Sequence, residues 1–402
     1  MAAIIRSKLR LLSPDLPHRI RHFATSILNP DSKTALSSKE KSRAALSLLQ
    51  TETNPERILD ICRAASLTPE SHLDRLAYSK AILKLRNSNY FGGIREFLEE
   101  SKSRPDFRSE KLISHVVVLY GQAGMLNDAM LTFEQMEEMG IQRSVKSLNS
   151  LLFSCLLAKN YDEMKRIFVD FPKKYGIAPD LGTYNVMIKG FCESGSASSV
   201  YSILDKMVSN EVRPNATTFG NCLRGFYSEE KFEDVGKIMD LMKQHGVSSG
   251  ISIYNIRIEC LCKLKRSKEA KAMLDKIFSA GIKLNSFTYA HLIHGFCKEG
   301  DLEEAMNLYK KMVNRGFQPD SETYFRLVYF LCKSKDFEGA IAISKDCMEK
   351  GWVPNFSTMK MLVDGLVSIS KVDEAKAIVS QMKEKFSKKA DKWTEIEEGL
   401  PK

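Results

Sequence analysis

Between Leu181 and Asn215 the apolar residues fall into two short runs separated by polar positions. In the first run Tyr184, Met187, Ile188 and Phe191 stand at i, i+3, i+4 and i+7, which is one face of an α-helix. Val200, Ile203, Leu204 and Met207 repeat that spacing further on. Gly195 and Ser196 lie between the runs, where a tight turn needs permissive backbone. The pattern predicts a hairpin of two helices.

The hairpin recurs. Tyr184, Phe219, Tyr254, Tyr289 and Tyr324 stand 35 residues apart, and the same step links Gly246, Gly281, Gly316 and Gly351. Ala270, Ala305, Ala340 and Ala375 keep it too, as do Pro179 with Pro214 and Pro319 with Pro354. A fixed period of roughly 20–50 residues marks a solenoid. At the exit of most copies a Gly takes the position just past the second helix, followed by an apolar residue and often a Pro. Arg315-Gly316-Phe317-Gln318-Pro319 shows this order. The recurring Ala is small enough to let neighbouring helices approach closely. One hairpin cannot cover its own apolar stripe, so the copies must stack.

Along the chain, residues 110–144 keep Ala129, Met136 and Gly140 in the expected places. Residues 145–180 carry one extra residue near Lys174, in the second helix or its exit. From 181 the spacing is strict to 355, and the last copy begins at Phe356 and keeps Ala375 and Met382. Residues 40–74 and 75–109 read as worn copies, with Asn54-Pro55-Glu56 and Thr68-Pro69-Glu70 each placing a cap residue before a Pro at the first helical position. The expected organisation is therefore a leader over 1–23, a linker over 24–39, degenerate helical repeats over 40–109, a regular array over 110–390 and a capping segment over 391–402. Ser37 with Glu40 could open the first helix as a capping box. An amphipathic final helix in the capping segment would shield the end of the stack.

Charge refines this picture. Of the net charge of +10, residues 1–23 hold +4, from Arg6, Lys8, Arg10, Arg19 and Arg21 against Asp15 alone, which leaves +6 for the rest. That Arg-rich, acid-poor start has the composition of a mitochondrial presequence, with a plastid address as the competitor. Arg21-His22-Phe23-Ala24 places the cut after Phe23, so the mature chain would begin near Ala24 in the matrix. The moderately basic remainder suits a polyanion held along local stripes. Nine cysteines without an extracellular signature point to a reducing compartment. No stretch approaches the roughly 18–20 apolar residues of a membrane helix, so no membrane partner is expected.

The segments TYNVMIKGFC, FTYAHLIHGFCKEGDLEEAMNLYKKMVNRGFQPD and SETYFRLVYFLCKSKDFEGAIAISKDCMEKGWVPN resemble pentatricopeptide repeats, the 35-residue helical hairpins of plant organelle RNA-binding proteins. The likeness is most specific over Ser286 to Asp320, and the uniform copy length resembles the P class. It implies an all-α, right-handed superhelical solenoid of about ten stacked helix-turn-helix repeats. It also implies a binding protein without cofactor or metal, not an enzyme, whose partner is single-stranded RNA or ribosomal RNA and not DNA. The short array and the SLNSLLFSCL block look closest to members built into plant mitochondrial ribosomes, so mitochondrial ribosomal proteins are further expected partners.

In that family a base is read by the residue after the first-helix aromatic together with the last residue of the block. Here Asn149 with Asp180 resembles a uridine-reading pair, and Asn185 with Asn215 and Asn255 with Asn285 resemble pyrimidine-reading pairs. Other copies depart. Gly220 with Gly250 has no hydrogen-bonding side chain, while Ala290 with Asp320 and Phe325 with Asn355 lack the first polar group. The apolar wedge expected two places before the aromatic is met by Phe287 but not by Gly182, Thr217, Ser252 or Glu322. Contiguous one-base-per-repeat reading is therefore not expected. Lys263, Lys298 and Lys333, one period apart at the end of the first helix, match the place where relatives touch phosphate. Phosphate contacts of that kind position a strand without reading it.

Other constellations reduce to the repeat. Cys192, Cys262, Cys297 and Cys332 occupy one core place in successive copies, with Tyr227 filling it in another. One repeat offset is too long for a disulfide or a shared zinc. His291, His294 and Cys297 have ligand-like spacing, but the Cys recurs in copies without either His. Neither a zinc-deaminase signature nor a phosphate-cradling glycine loop is present in the sequence. Three readings follow: an RNA-binding component of the mitochondrial ribosome that supports translation, a factor that guards or matures a transcript, and a protein-binding scaffold.

Overall fold

The computed structural model describes residues 38–66, 75–352, 355–385 and 390–401. The presequence over 1–23, the Thr68-Pro69-Glu70 cap, Pro354 and Ser37 of the capping box lie outside these residues. So does the linker over 24–39, save its last two positions, which open the first helix. Among the described residues there are 21 α-helices and two short 3-10 turns, stacked pairwise as the period predicts. The chain divides into two compact units, Met1–Pro214 and Asn215–Lys402.

The first unit holds five hairpins: α1 Ser38–Thr51 with α2 Pro55–Ser66, α3 Arg75–Asn87 with α4 Phe91–Ser103, α5 Glu110–Ala123 with α6 Leu126–Glu134, α7 Val145–Leu157 with α8 Tyr161–Tyr175, and α9 Leu181–Glu193 with α10 Val200–Ser209. The second holds five more: α11 Ala216–Ser228 with α12 Phe232–Gln244, α13 Ile251–Lys263 with α14 Ser267–Ser279, α15 Ser286–Glu299 with α16 Leu302–Asn314, α17 Ser321–Lys333 with α18 Phe337–Glu349, and α19 Phe356–Ser368 with α20 Val372–Lys385, closed by α21 Ala390–Glu398. Within each unit a first helix packs on its own second helix and on the first helix of the next hairpin.

The core follows the predicted faces. Tyr184, Met187, Ile188, Val200, Ile203, Leu204 and Met207 are buried, and Phe191 is half-buried. Ala129, Ala270, Ala305, Ala340 and Ala375 are fully enclosed, as the close helix approach requires. Each large side chain so enclosed contributes roughly 1.5–3 kcal/mol relative to exposure. Tyr254 departs, standing half-buried while its neighbour Asn255 turns inward. The extra residue of the fourth hairpin lies in α8, which runs for 15 residues with Pro172 inside it. At the chain end, Trp393 of α21 is buried against Phe356, with ring centroids 4.9 Å apart.

Both turns of the hairpin use left-handed backbone. At the exit, Gly316 has φ 79°, and its N–H donates to Val313 O while Phe317 N–H donates to Met312 O, closing α16. Phe317 then packs on Tyr289 of the same hairpin, at 5.8 Å between centroids. Gly140, Gly176, Gly246, Gly281 and Gly351 match Gly316, but in the α10 exit the place is held by Glu211, at φ 60°. Between the helices the same conformation recurs at Asn89, Gly124, Lys159, Gly195, Glu230, Lys265, Gly300, Lys335 and Ser370. Asn89 shows that the worn copy over 75–109 keeps the hairpin after its sequence marks have faded.

Candidate nucleic-acid interface

The last residue of a block is also the N-cap of the next first helix. Asp180 accepts the Thr183 backbone N–H at 2.9 Å, and Asn215 and Asn285 accept those of Thr218 and Thr288 at 3.0 and 3.1 Å. Asp320 and Asn355 cap α17 and α19 in the same way. A side-chain oxygen at this place satisfies one of the orphan donors of a helix start, worth ~1 kcal/mol against Ala. Asn or Asp at the block boundary therefore has a structural reason that does not involve a ligand. Gly250 drops the cap, and with it the Thr, which is Ile253 in that copy.

Two of the candidate pairs are joined by hydrogen bonds inside their units. Asn149 donates through Nδ2 to Asp180 Oδ1 at 2.9 Å, and Asn255 donates likewise to Asn285 Oδ1 at 3.1 Å. In both, the buried threonine of the next helix completes the triangle. Thr183 Oγ1 donates to Asn149 Oδ1 at 2.6 Å, and Thr288 Oγ1 donates to Asn255 Oδ1 at 2.7 Å. Burial alone would raise the pKa of Asp180, but the hydrogen bonds from Asn149 and Thr183 outweigh it and hold the carboxyl below its ordinary value. Asn149, Asn185, Asn215 and Asn285 are half-buried, Asp180, Asp320 and Asn355 are exposed, and Asn255 is enclosed, with 8% exposure.

The wedge position now has a physical reason for its departure in one copy. A Cβ on Gly182 would lie 2.9 Å from Asn149 Nδ2 and 3.1 Å from Asp180 Oδ1. The Asn149 amide and the Asp180 carboxylate occupy the space a side chain would need. Phe287, the apolar residue at that place, is 60% exposed.

Lys263, Lys298 and Lys333 are exposed at the ends of α13, α15 and α17. They are not equivalent. Lys263 Nζ lies 2.7 Å from Glu259, which also takes Arg224 at 2.6 Å. Burial pushes the Glu259 pKa up, and the two cations more than reverse that, so it stays ionised. Lys298 and Lys333 make no ion pair with any described residue. Beside this row the Arg326 guanidinium lies against the ring nitrogens of His294. Burial first, and Arg326 second, bring the His294 pKa down to about 4, so the ring is neutral near pH 7.

The cysteine row is core. Cys192, Cys262, Cys297 and Cys332 are buried, and burial pushes the Cys262 thiol up to about 11 and those of Cys297 and Cys332 up to about 12. Such thiols stay protonated and unreactive at neutral pH. Sequence reasoning missed the threonines and the Glu259 clamp. The first had a signal, the Asn/Asp-x-x-Thr repeated at every block boundary from Asp180 to Asn355 except Gly250, which is a helix-start signature. The second was legible only in half: Glu259 and Lys263 stand at i and i+4 on one helix, whereas Arg224 reaches Glu259 only across a repeat.

Known proteins carry the same repeat. The PPR repeat family matches residues 179–228, 249–298 and 285–333, the pentatricopeptide repeat domain matches 115–193, and the PPR repeat matches 357–385, together more than half of the chain. A mitochondrial pentatricopeptide repeat-containing protein of Arabidopsis thaliana is 48% identical over 213 residues, 53% of this chain and 52% of that protein. Two others from the same plant are named as small ribosomal subunit proteins. One, mL103, is 33% identical over 47% of this chain and 46% of its own length, and the other, mS78, is 32% identical over 47% and 48%. The chain spans about half the length of these curated relatives. Among solved structures, the maize protein PPR10 aligns over 97% of this chain and 59% of its own, at 16% identity and a TM-score of 0.43.

Proposed function

Because the chain belongs to the pentatricopeptide repeat family, we propose that it binds single-stranded RNA in the mitochondrion, and that holding a strand is its whole activity. The observation that carries this is the hydrogen-bonded polar pair at the repeat boundary, Asn149 with Asp180 and Asn255 with Asn285. Helical repeats read splayed bases with such side chains. Asn185 and Asn215 complete the set, and Asp320 and Asn355 contribute one polar group each. Lys298 and Lys333, with Lys263 under restraint from Glu259, contribute phosphate contacts that position the strand.

The polar pairs are too few for one base per repeat, and two relatives are named as ribosomal proteins. Both points support a place in the mitochondrial ribosome, where ribosomal RNA is held by shape, phosphate and neighbouring proteins and the protein supports translation. The intact Asn-headed pairs favour a second reading, a factor that binds one transcript for stability, processing or translation.

Two measurements test this. Replacing Lys263, Lys298 and Lys333 by Ala should weaken binding to all single strands alike and flatten the salt dependence, by a slope of about 0.7 per lost contact. Replacing Asn149, Asn185 and Asn255 by Ala should lower preference for a pyrimidine-rich strand and leave the slope nearly unchanged. Sedimentation of the endogenous protein, with and without ribosome dissociation, separates the two readings: co-migration with a subunit supports the first and its absence the second. Intact, folded protein that binds no RNA would overturn both in favour of a protein-binding scaffold.

A further inference from the structure

We infer that Thr183 and Thr288 are positioning residues for RNA, each fixing from the following repeat the amide of the asparagine before it, so that Asn149 and Asn255 offer an N–H and not a C=O to a base. The inference deepens the reading above and rests on it. Its premise is a chain of hydrogen bonds anchored on groups that cannot flip. An amide's N and O are interchangeable in shape, so their orientation must come from partners of known polarity. For Asn149 the partner on one side is the Asp180 carboxylate, which can only accept when ionised, so the facing atom is Nδ2. The other side is then Oδ1, and it faces the hydroxyl of Thr183. For Asn255 the anchor is the Thr288 backbone N–H, which donates to Asn285 Oδ1. That oxygen can take only a donor from Asn255, again Nδ2, and Oδ1 of Asn255 again faces the Thr288 hydroxyl.

Both threonines are fully buried, with 0% exposure, so the hydroxyl is held by its own packing while the asparagine sits nearer the surface. Each hydroxyl has two acceptors in reach. For Thr183 these are Asn149 Oδ1 at 2.6 Å and Asp180 Oδ1 at 3.0 Å; for Thr288 they are Asn255 Oδ1 at 2.7 Å and Asn285 Oδ1 at 3.1 Å. The shorter contact goes to the preceding asparagine in both. The amide is thus held at both ends, and one Nδ2 hydrogen remains for a base acceptor. Gly182 keeps that hydrogen uncovered at Asn149, since a Cβ there would press on Nδ2. With the hydroxyl removed, the oxygen end of the amide is released, the side chain hangs on its Nδ2 bond alone, and the direction of the remaining N–H is no longer fixed.

The test uses the full chain, with oligouridylate and oligoadenylate of equal length as probes. The readout is the ratio of the two Kd values. Thr183→Val with Thr288→Val keeps shape and backbone N–H groups and removes both hydroxyls. It should lower the uridylate preference by about tenfold, roughly threefold for each lost anchor. Thr183→Ser with Thr288→Ser should restore the preference. In a background of Asn149→Ala and Asn255→Ala the valine changes should do nothing more to the ratio. If the valine double variant does not fold, the two single variants give the same reading one repeat at a time. Equal loss on both probes, with an unchanged ratio, would show a structural role only and overturn the inference while RNA binding stands. A wild-type ratio in the valine variants alongside a lost ratio in the asparagine variant would overturn it too. No binding of either strand by folded wild-type protein would remove the reading itself.

Discussion

Glu259→Gln isolates the electrostatics of the lysine row. The carboxylate clamps Arg224 and Lys263 at 2.6 and 2.7 Å, and its side chain is 21% exposed, whereas the two cations are 44% and 62% exposed. A phosphate approaching Lys263 therefore meets a cation already neutralised by a near neighbour of the wrong sign. A unit charge about 7 Å from a phosphate is worth about 0.6 kcal/mol at the dielectric of water and about 2.4 kcal/mol at an effective value of ~20. Screening over a length of ~8 Å at physiological salt reduces these to roughly 0.3–1 kcal/mol. Removing the charge should thus tighten RNA binding by about 1.5- to 5-fold. The fold should tolerate the change, because exposed ion pairs contribute only ~0–1 kcal/mol. The assay is a titration of a labelled single strand at several salt concentrations, and the salt slope should steepen by up to ~0.7 for each cation set free. Unchanged or weaker binding by folded Glu259→Gln protein, with no change of slope, would show that Lys263 and Arg224 do not face the strand.

Three further outcomes are expected. Gly316→Val should destabilise by ~1 kcal/mol or more because its φ of 79° is costly for a β-branched residue, whereas Glu211→Gly should stabilise by ~0.5 kcal/mol at the equivalent exit; thermal melts check both, and unchanged midpoints would refute the strain argument. His115 and His294 both have folded pKa values brought down to about 4, with burial as the first cause, so the unfolded chain binds more protons between pH 6.5 and 4. Their contribution is complete above pH 6.5 and lost as pH falls toward 4, and melting curves of a His115→Gln, His294→Gln variant should show a shallower acid loss than wild type. A fusion carrying residues 1–40 should enter mitochondria, with the mature chain starting near Ala24; delivery to plastids alone, or an N-terminus left at Met1, would refute the presequence.

The sequence by itself determined the hairpin, its period and its core. Tyr184, Met187 and Ile188 are buried because a 3.6-residue helix has a single inward face, and Cys262, Cys297 and Cys332 share a core place because stacking repeats the environment with the period. Local chemistry also announced the glycine exits and the extra residue now seen in α8. What only the tertiary structure decided is what happens between copies. Asn149 and Asp180 are 31 residues apart and Asn255 and Thr288 are 33 apart, so no local pattern shows that each pair belongs to a hydrogen-bonded triangle. Arg224 and Glu259 meet over 35 residues, which brings a second cation to the carboxylate that already holds Lys263 one turn away on its own helix. Lys159, Glu211, Glu230, Lys265 and Lys335 hold left-handed turns with no glycine to announce them. Their backbone is set by the packing of the helices they join, and that packing overrides a local preference of ~1–2 kcal/mol per residue.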